Sequence, residues 1–332
     1  MNNPVWEWLL RSDSWQAQTH FQATTSLESG PCWSSQRYGQ SRTELGDGRV
    51  VQIGGEHEDH YDPDFFIYND VIVRGPKRKV ELYGYPTHVF PPTDFHSASL
   101  VGERIITVGA LGYPGDRRPG QTLVFALDTS TWTFSSVEVR GEPPGWLWDH
   151  QATAQGHRIV LTGGSRVTLV KGEQRIVDNF DDWLLDLKTR RWRRLTKRPW
   201  QQWSISPVDP RHLNRLFEIS MLSRHLELKS EFDREEVARW KKDHGPLPDL
   251  ELFKSLYAPP VKFQALPENE DAFREHCISV DGVRVRFVEG SRSIDATIEG
   301  KLPPKTIERI VTHVRSTLTA LESAAYEVTR VQ

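Results

Sequence analysis

The heptapeptide RIVLTGG, residues 158–164, shows how the first half of this chain is organised. Closely similar phrases stand at residues 104–110, RIITVGA, and at residues 49–55, RVVQIGG. Each phrase is a short run rich in β-branched residues that ends in small residues. This composition is typical of a strand followed by a tight turn.

The three phrases recur at a fixed period. Aligned on the first small residue of each phrase, three glycines lie 55 and 54 residues apart, namely Gly54, Gly109 and Gly163. A polar residue precedes each strand at an equivalent position: Gln40, His96 and His150. A period near 50 with several strands per unit is typical of a β-propeller blade, because one four-stranded sheet buries both of its faces only when neighbours stack on it.

The residues around these phrases resemble the kelch repeat. The first unit has Arg37-Tyr38-Gly39, Gly54-Gly55 and Asn69-Asp70-Val71 in order. The next two units end in the aspartate, threonine and tryptophan of the kelch pattern: Asp128, Thr131 and Trp132, then Asp186, Thr189 and Trp192. The resemblance covers residues 33–198 and implies a mainly β fold, a partial kelch-type β-propeller of about three blades, followed by an α+β C-terminal domain.

Two departures from the kelch pattern affect this expectation. Gly109-Ala110 stands where the family has two glycines, and the first unit has no clear terminal tryptophan after Val73. Kelch propellers usually have six or seven blades, so an arc of three leaves its end faces uncovered. Two arcs could close in a homodimer, flanking segments could add blades, or the open side could pack on the C-terminal region.

The sequence divides into four parts, and the pattern changes after the blades. We expect an N-terminal segment at 1–32, kelch-like blades at 33–198, a helical connector at 199–262 and a βββα unit at 263–332. Mixed helical spacing in 209–228 predicts a helix. A second helix should begin with Asp233 as N-cap and stop at Gly245-Pro246.

The last part changes to a period of two. An Asp281-Gly282 turn joins two predicted strands, and the second alternates Val285 and Phe287 with arginines. Another alternating strand follows at residues 294–298. From Pro304 to about Ser323, apolar residues recur at helical spacing, which predicts an amphipathic helix that covers the sheet.

Composition excludes several functional classes. Because the formal net charge is −3 and the pI is near 6.5, we do not expect a nucleic acid as partner, and no apolar stretch reaches membrane-spanning length. The first residues lack the features of a signal peptide, so we expect a cytoplasmic protein. Cys32 and Cys277 have no ligand-like spacing. No familiar phosphate-binding, zinc or serine-hydrolase motif occurs, and we expect no cofactor.

One stretch could bind a metal. The acidic run EHEDHYDPD follows the first glycine pair, and carboxylates and imidazoles are common ligands of divalent cations. Its candidate ligands are Glu56, His57, Glu58, Asp59 and His60. The spacing fits no calcium loop and the equivalent loops of the other units lack it, so we favour a solvated acidic loop.

Two further groups are candidate binding residues. The run KTRRWRRLTKR at 188–198 should place Arg191 and Arg193 on one side of a strand, either as charges that discourage strand addition or as a docking patch. Trp146 and Trp148, in PPGWLWDH between two blades, are candidates for a binding surface, with core packing as the alternative.

These features leave three functional classes open. We favour a non-catalytic protein that binds a partner protein, in an immunity-type or accessory role in bacteria, because repeat architectures present broad rigid surfaces. An enzyme would have to use Glu56, His57, His96 and His150. The third class is a carbohydrate-binding or carbohydrate-active kelch protein that stacks Trp146 and Trp148 on sugar rings.

Overall fold

The computed structural model describes residues 3–12, 33–59, 62–267 and 274–332. The protein is mainly β, with 36% strand and 22% helix. Its sheets are antiparallel, and the described residues form no closed barrel. None of the described helices is long and apolar enough to cross a membrane.

The chain divides into two units, Met1–Lys197 and Arg198–Gln332. Unit 1 starts with helix α1 (Pro4–Ser12). Its first strands are β1 (Ser41–Glu44), β2 (Val50–Ile53), β3 (Glu56–Asp59), β4 (Asp62–Ile67), β5 (Asp70–Arg74), β6 (Val80–Gly84), β7 (Ser97–Val101), β8 (Arg104–Val108) and β9 (Val124–Asp128). The later ones are β10 (Phe134–Ser136), β11 (Trp146–Trp148), β12 (Gln151–Gln155), β13 (Arg158–Thr162), β14 (Ser165–Val170), β15 (Glu173–Asp178), β16 (Trp183–Asp186) and β17 (Arg191–Arg194).

Three four-stranded antiparallel sheets make up most of unit 1. Their strand orders are β1-β2-β5-β6 for the first sheet, β7-β8-β9-β10 for the second and β12-β13-β16-β17 for the third. Each phrase of the sequence supplies the second strand of its sheet, as β2, β8 and β13. The strands β3 and β4 form a separate hairpin, and β11, β14 and β15 form a three-stranded sheet.

The second sheet buries both of its faces. Ile105 and Ile106 are neighbours on β8, so their side chains point to opposite faces. Ile105 packs in one apolar cluster with Val51 and Ile53 of the first sheet. Ile106 packs in another with Ile159 and other residues of the third sheet. The second sheet is therefore stacked between its two neighbours.

Buried histidines join the first strands of successive sheets. His96 Nε2 lies 2.8 Å from Ser41 Oγ, and His150 Nε2 lies 2.9 Å from Ser97 Oγ. Strand β7 accordingly contacts both β1 and β12. The equivalent residue of the first unit, Gln40, bonds within its own sheet, to Gly54 O. His96 and His150 thus link their sheets to the preceding sheet, whereas Gln40 belongs to the first sheet and has no preceding sheet among the described repeats to contact.

Unit 2 is built on a six-stranded antiparallel sheet of order β19-β20-β21-β22-β18-β23. Its strands are β18 (Gln201–Pro207), β19 (Gln264–Ala265), β20 (Glu275–Val280), β21 (Val283–Glu289), β22 (Ile294–Ile298) and β23 (Tyr326–Arg330). Its helices are α2 (Leu216–Leu228), α3 (Glu231–His244), α4 (Leu250–Lys254) and α5 (Pro304–Glu322). The predicted face of α5 is buried on the sheet through Ile310, Val314 and Leu318.

Two sequence expectations for unit 2 need correction. The expected helical connector at 199–262 begins with strand β18, which pairs with β22 and β23 far along the chain. Ser230 is the N-cap of α3, because its hydroxyl accepts from Asp233 N while the Asp233 carboxylate accepts from Ser230 N. Asp233 therefore lies inside the helix as the third residue of this capping box.

Candidate functional site

Trp146 and Trp148 lie in the interior of unit 1. They are 5% and 7% exposed and pack around Val167 of β14. The indole Nε1 of Trp146 donates to Leu111 O at 2.9 Å. Both residues are therefore part of the core, as the packing alternative predicts, and they present no exposed surface to a partner or a sugar. They lie on β11, which pairs with β14, the strand that directly follows Gly163-Gly164, and this pairing brings them inside.

The acidic stretch is only partly described. Glu56 and His57 lie on β3, His60 lies outside the described residues, and so do the side chains of Glu58 and Asp59. Glu56 is 9% exposed. Among the described residues, no group of three or more His, Cys, Asp or Glu side chains could hold a metal. The metal site on this stretch stays a prediction.

Glu56 faces the buried carboxyl group of Asp94 rather than solvent. Burial raises the pKa of Asp94, while hydrogen bonds from Gly112 N and with Glu56 lower it. Two neighbouring carboxyl groups repel each other when both are ionised, so this proximity favours a protonated form of the buried pair. This pairing gives Glu56 a structural partner inside unit 1.

His96 and His150 are unsuited to acid–base chemistry near neutral pH. Burial, followed by the charge of His150, lowers the pKa of His96 to about 3, and burial lowers the pKa of His150 to about 4. Both imidazoles are therefore neutral at pH 7. Each uses Nε2 in the link to a serine of the preceding sheet. Their geometry gives both residues a structural role as links between sheets.

The basic strand β17 alternates as its sequence predicts. Arg191 and Arg193 are exposed, whereas Trp192 is 5% exposed. Arg194, on the face of Trp192, donates to the buried carboxylate of Asp181. Strand β17 is the last strand of its sheet, and the side chains of Arg191 and Arg193 remain exposed there although the backbone of Arg140 bridges part of the outer edge.

A groove of about 870 Å³ adjoins this edge. Its lining includes Arg140, Lys188, Arg190 and Trp192, with Glu138 as the lining carboxylate. Sequence reasoning missed Arg140, which comes from the segment after β10. That segment is held against β17 by two backbone bonds, Arg140 N to Arg190 O at 2.9 Å and Trp192 N to Arg140 O at 2.8 Å.

The turn between β16 and β17 presents the other two cations of the groove. The carboxylate of Asp186 accepts from Thr189 N at 2.9 Å, which shapes the turn, and Arg190 takes a φ of 52°. That hydrogen bond also lowers the pKa of Asp186. Lys188 and Arg190 are consequently exposed beside Arg140. An Asx-type turn of this kind is the local signal from which their display could be predicted.

Five cations surround the groove and the adjoining edge: Arg140, Lys188, Arg190, Arg191 and Arg193. Within the described part of the chain, none of the five forms an ion pair. The protein as a whole carries a formal charge of −3. A local field of positive sign on an acidic protein can attract carboxylates or phosphates, and screening by salt should weaken that attraction.

Comparisons with known proteins add little to this geometry. No family model matches the sequence, and no curated protein matches it. Among solved structures, one described as "Structure of YjhT" aligns with 14% identity over 48% of this chain, at a TM-score of 0.36. The chain spans about half (52%) of the length of that structure. A likeness of this size establishes neither a family nor a function.

Proposed function

We propose that this is a non-catalytic binding protein that contacts an acidic protein partner through the groove and edge formed by Arg140, Lys188, Arg190, Arg191 and Arg193. The observation that carries the proposal is the grouping of five cations, without ion pairs among the described residues, around one concave surface. Elsewhere in unit 1, arginines such as Arg37 and Arg194 are paired with buried carboxylates. The unpaired cations are therefore available to a partner.

We also propose that unit 1 is a partial kelch-type propeller of about three blades. Three successive four-stranded antiparallel sheets support this, and so does the middle sheet with both faces covered. The glycine contacts add support, because Gly55 N donates to Thr93 O and Ala110 N donates to Leu147 O at equivalent positions of successive repeats. Loops at the rims of such a scaffold commonly carry recognition residues.

An acidic protein suits the groove better than a nucleic acid does. A nucleic-acid backbone is bound through many phosphate contacts, and a protein that makes about 6–10 of them usually carries an extended basic face. This chain has a net negative charge, and Glu138 lies inside the groove. A lining of mixed sign can complement a protein surface that has a few carboxylates and a lysine or an arginine.

Binding of a labelled oligoglutamate peptide tests the proposal. We expect fluorescence anisotropy to show binding at low salt that weakens steadily as salt rises, since exposed charges are screened. The double variant Lys188→Ala with Arg190→Ala should bind less tightly. The matched control is Lys241→Ala with Lys242→Ala on α3, which removes the same charge from exposed positions of unit 2.

Equal weakening in both double variants would show that only net charge matters and would overturn the assignment of the groove. Failure of the wild-type protein to bind the peptide at low salt would have the same effect. A labelled single-stranded oligonucleotide provides the comparison between partner classes. Binding of the oligonucleotide in preference to the peptide would replace the acidic protein by a nucleic acid.

A further inference from the structure

A second concave surface in unit 1 is lined by aromatic rings. It is a pocket of about 550 Å³ at the outer side of the first sheet. Its rings come from α1, from the start of the first repeat, from β4 and from the residues just after β4 and β6: Trp6, Trp33, Phe66, Tyr68 and Tyr85. The volume lies within the range of about 300–1,000 Å³ that is usual for small-molecule sites.

The walls of the pocket are fixed by packing and hydrogen bonds. Trp6 stacks on Trp33 with ring centroids 4.9 Å apart and an interplanar angle of 11°. Helix α1 is anchored by the buried Leu10, whose carbonyl oxygen accepts from Arg74 at 2.7 Å. The indole Nε1 of Trp33 donates to Asp70 at 3.0 Å. The aromatic faces are thus held in place before any ligand arrives.

The polar floor of the pocket has no net charge. Asp70 accepts two bonds from Arg37, at 2.5 Å and 2.9 Å, and the Arg37 side chain is fully buried. The guanidinium carbon of Arg37 lies 3.5 Å from the centroid of the Tyr68 ring and 5.1 Å from that of Trp33. These rings already hold a cation, so a second cation gains little from them.

One side chain can orient a ligand by hydrogen bonding. Asn69 lines the pocket, and its Nδ2 donates to Tyr85 O at 2.7 Å and to Phe90 O at 3.1 Å. With both hydrogens of the amide engaged, Oδ1 is the atom that Asn69 can offer to a ligand. An amide oxygen accepts a bond from a hydroxyl group.

We propose that this pocket binds the ring of a neutral saccharide. A pyranose has apolar C–H faces that pack on aromatic rings and hydroxyl groups at its edge that donate to an acceptor such as Asn69 Oδ1. An anion is disfavoured because the cation of the floor is already paired, and a cation is disfavoured because Arg37 already lies against the rings of Trp33 and Tyr68. The rings left for the saccharide are those of Trp6 and Phe66. The proposal is independent of the basic groove.

Titration with maltotetraose, cellotetraose and triacetylchitotriose tests the proposal, followed by tryptophan fluorescence and by saturation-transfer NMR. We expect at least one of these neutral saccharides to bind. Phe66→Ala and Trp6→Ala should each weaken that binding by about tenfold, the size expected for loss of one aromatic stacking partner. Trp6→Phe should retain most of the affinity because it keeps an aromatic face.

Phe65→Ala is the matched control, since Phe65 is the neighbour of Phe66 on β4, is exposed to the same degree and does not line the pocket. It should bind like wild type. Binding of choline with no saccharide binding would overturn the proposal, as would equal losses in Phe65→Ala and Phe66→Ala, or no binding of any of the three saccharides. Each of these results leaves binding of the oligoglutamate peptide unaffected, so the two proposals fail separately.

Discussion

The two units bury their apolar side chains in different ways. Unit 2 has one large core, formed between the six-stranded sheet and α5, with Phe287 and Leu318 among its fully buried members, and a small second cluster between α2 and α3. Unit 1 divides its core into separate clusters, and each large cluster is shared by two successive sheets. The stability of unit 1 therefore depends on junctions that recur along the sequence, whereas that of unit 2 depends chiefly on the face of α5 that packs on the sheet.

The junctions also show where the repeat ends. A Cβ atom on Gly54 would lie 2.1 Å from Thr93 O, and one on Gly109 would lie 2.2 Å from Leu147 O, both at the approach to the following sheet. At the equivalent Gly163, a Cβ atom would meet nothing within 4 Å. Glycine is thus required by a close contact at two repeats and only by backbone conformation at the third.

The largest effect should come from a cavity in the core of unit 2. Phe287→Ala should lower the free energy of unfolding of unit 2 by about 3–5 kcal/mol, because it removes a fully buried ring between the sheet and α5. Chemical denaturation followed by circular dichroism measures this. The exposed Phe232 is the control, and Phe232→Ala should change little. Similar losses in both variants would contradict the packing of Phe287 in the large core.

The next largest effect should be a difference in stability between alanine variants at two equivalent glycines. Gly109→Ala should destabilise unit 1 by about 3 kcal/mol, since it adds a backbone clash to an unfavourable φ of 79°. Gly163→Ala, at a φ of 65° without a clash, should cost about 1 kcal/mol. Thermal denaturation of the pair measures the difference. Equal destabilisation by Gly163→Ala and Gly109→Ala would contradict this difference. If light scattering then showed a dimer, we would infer that a second copy of the chain covers the third sheet.

Acid should weaken unit 1 through its two buried histidines. In the folded protein the pKa of His96 is about 3 and that of His150 is about 4, both below the usual 6.5. Between those folded values and pH 6.5, the unfolded state therefore binds more protons than the folded state. The two neutral histidines therefore cost no stability above pH 6.5, and the free energy of unfolding falls as the pH drops towards 4. One pH unit below 6.5, each histidine should lower the free energy of unfolding by about 1 kcal/mol.

His96→Gln provides the matched variant, since glutamine stands naturally at the equivalent Gln40. It should lessen the loss of stability on acidification by roughly half. Denaturant titrations at a series of pH values from 7 downwards, covering about two pH units, measure the slope for both proteins. An unchanged slope would mean that other groups titrate in this range.

The smallest effects should lie along strand β17. Arg194→Ala should destabilise unit 1 by about 1 kcal/mol, since it removes an ion pair from the buried Asp181 carboxylate, although partial exposure of Arg194 moderates the loss. Arg191→Ala and Arg193→Ala should each change stability by less than about 0.5 kcal/mol. Equal losses at all three positions would contradict the assignment of Arg191 and Arg193 to binding.

Strand and helix positions were the most predictable features. The phrases became β2, β8 and β13, the Asp281-Gly282 turn joins β20 to β21, and α5 lies where its apolar spacing predicts it. The N-cap of α3 was misplaced because both Ser230 and Asp233 suit that position in sequence. Strand β18 was missed because its partners, β22 and β23, lie far along the chain.

The sequence by itself determined the repeat, the alternation of β17 and the buried face of α5, because each follows from the local periodicity of apolar residues. Only the tertiary structure decided that Trp146 and Trp148 are buried, that Arg140 joins Arg190 in one groove and that Trp6 meets Trp33. These outcomes depend on contacts between residues that are distant along the chain. Periodicity assigns a side chain to a face, and packing determines whether that face is covered.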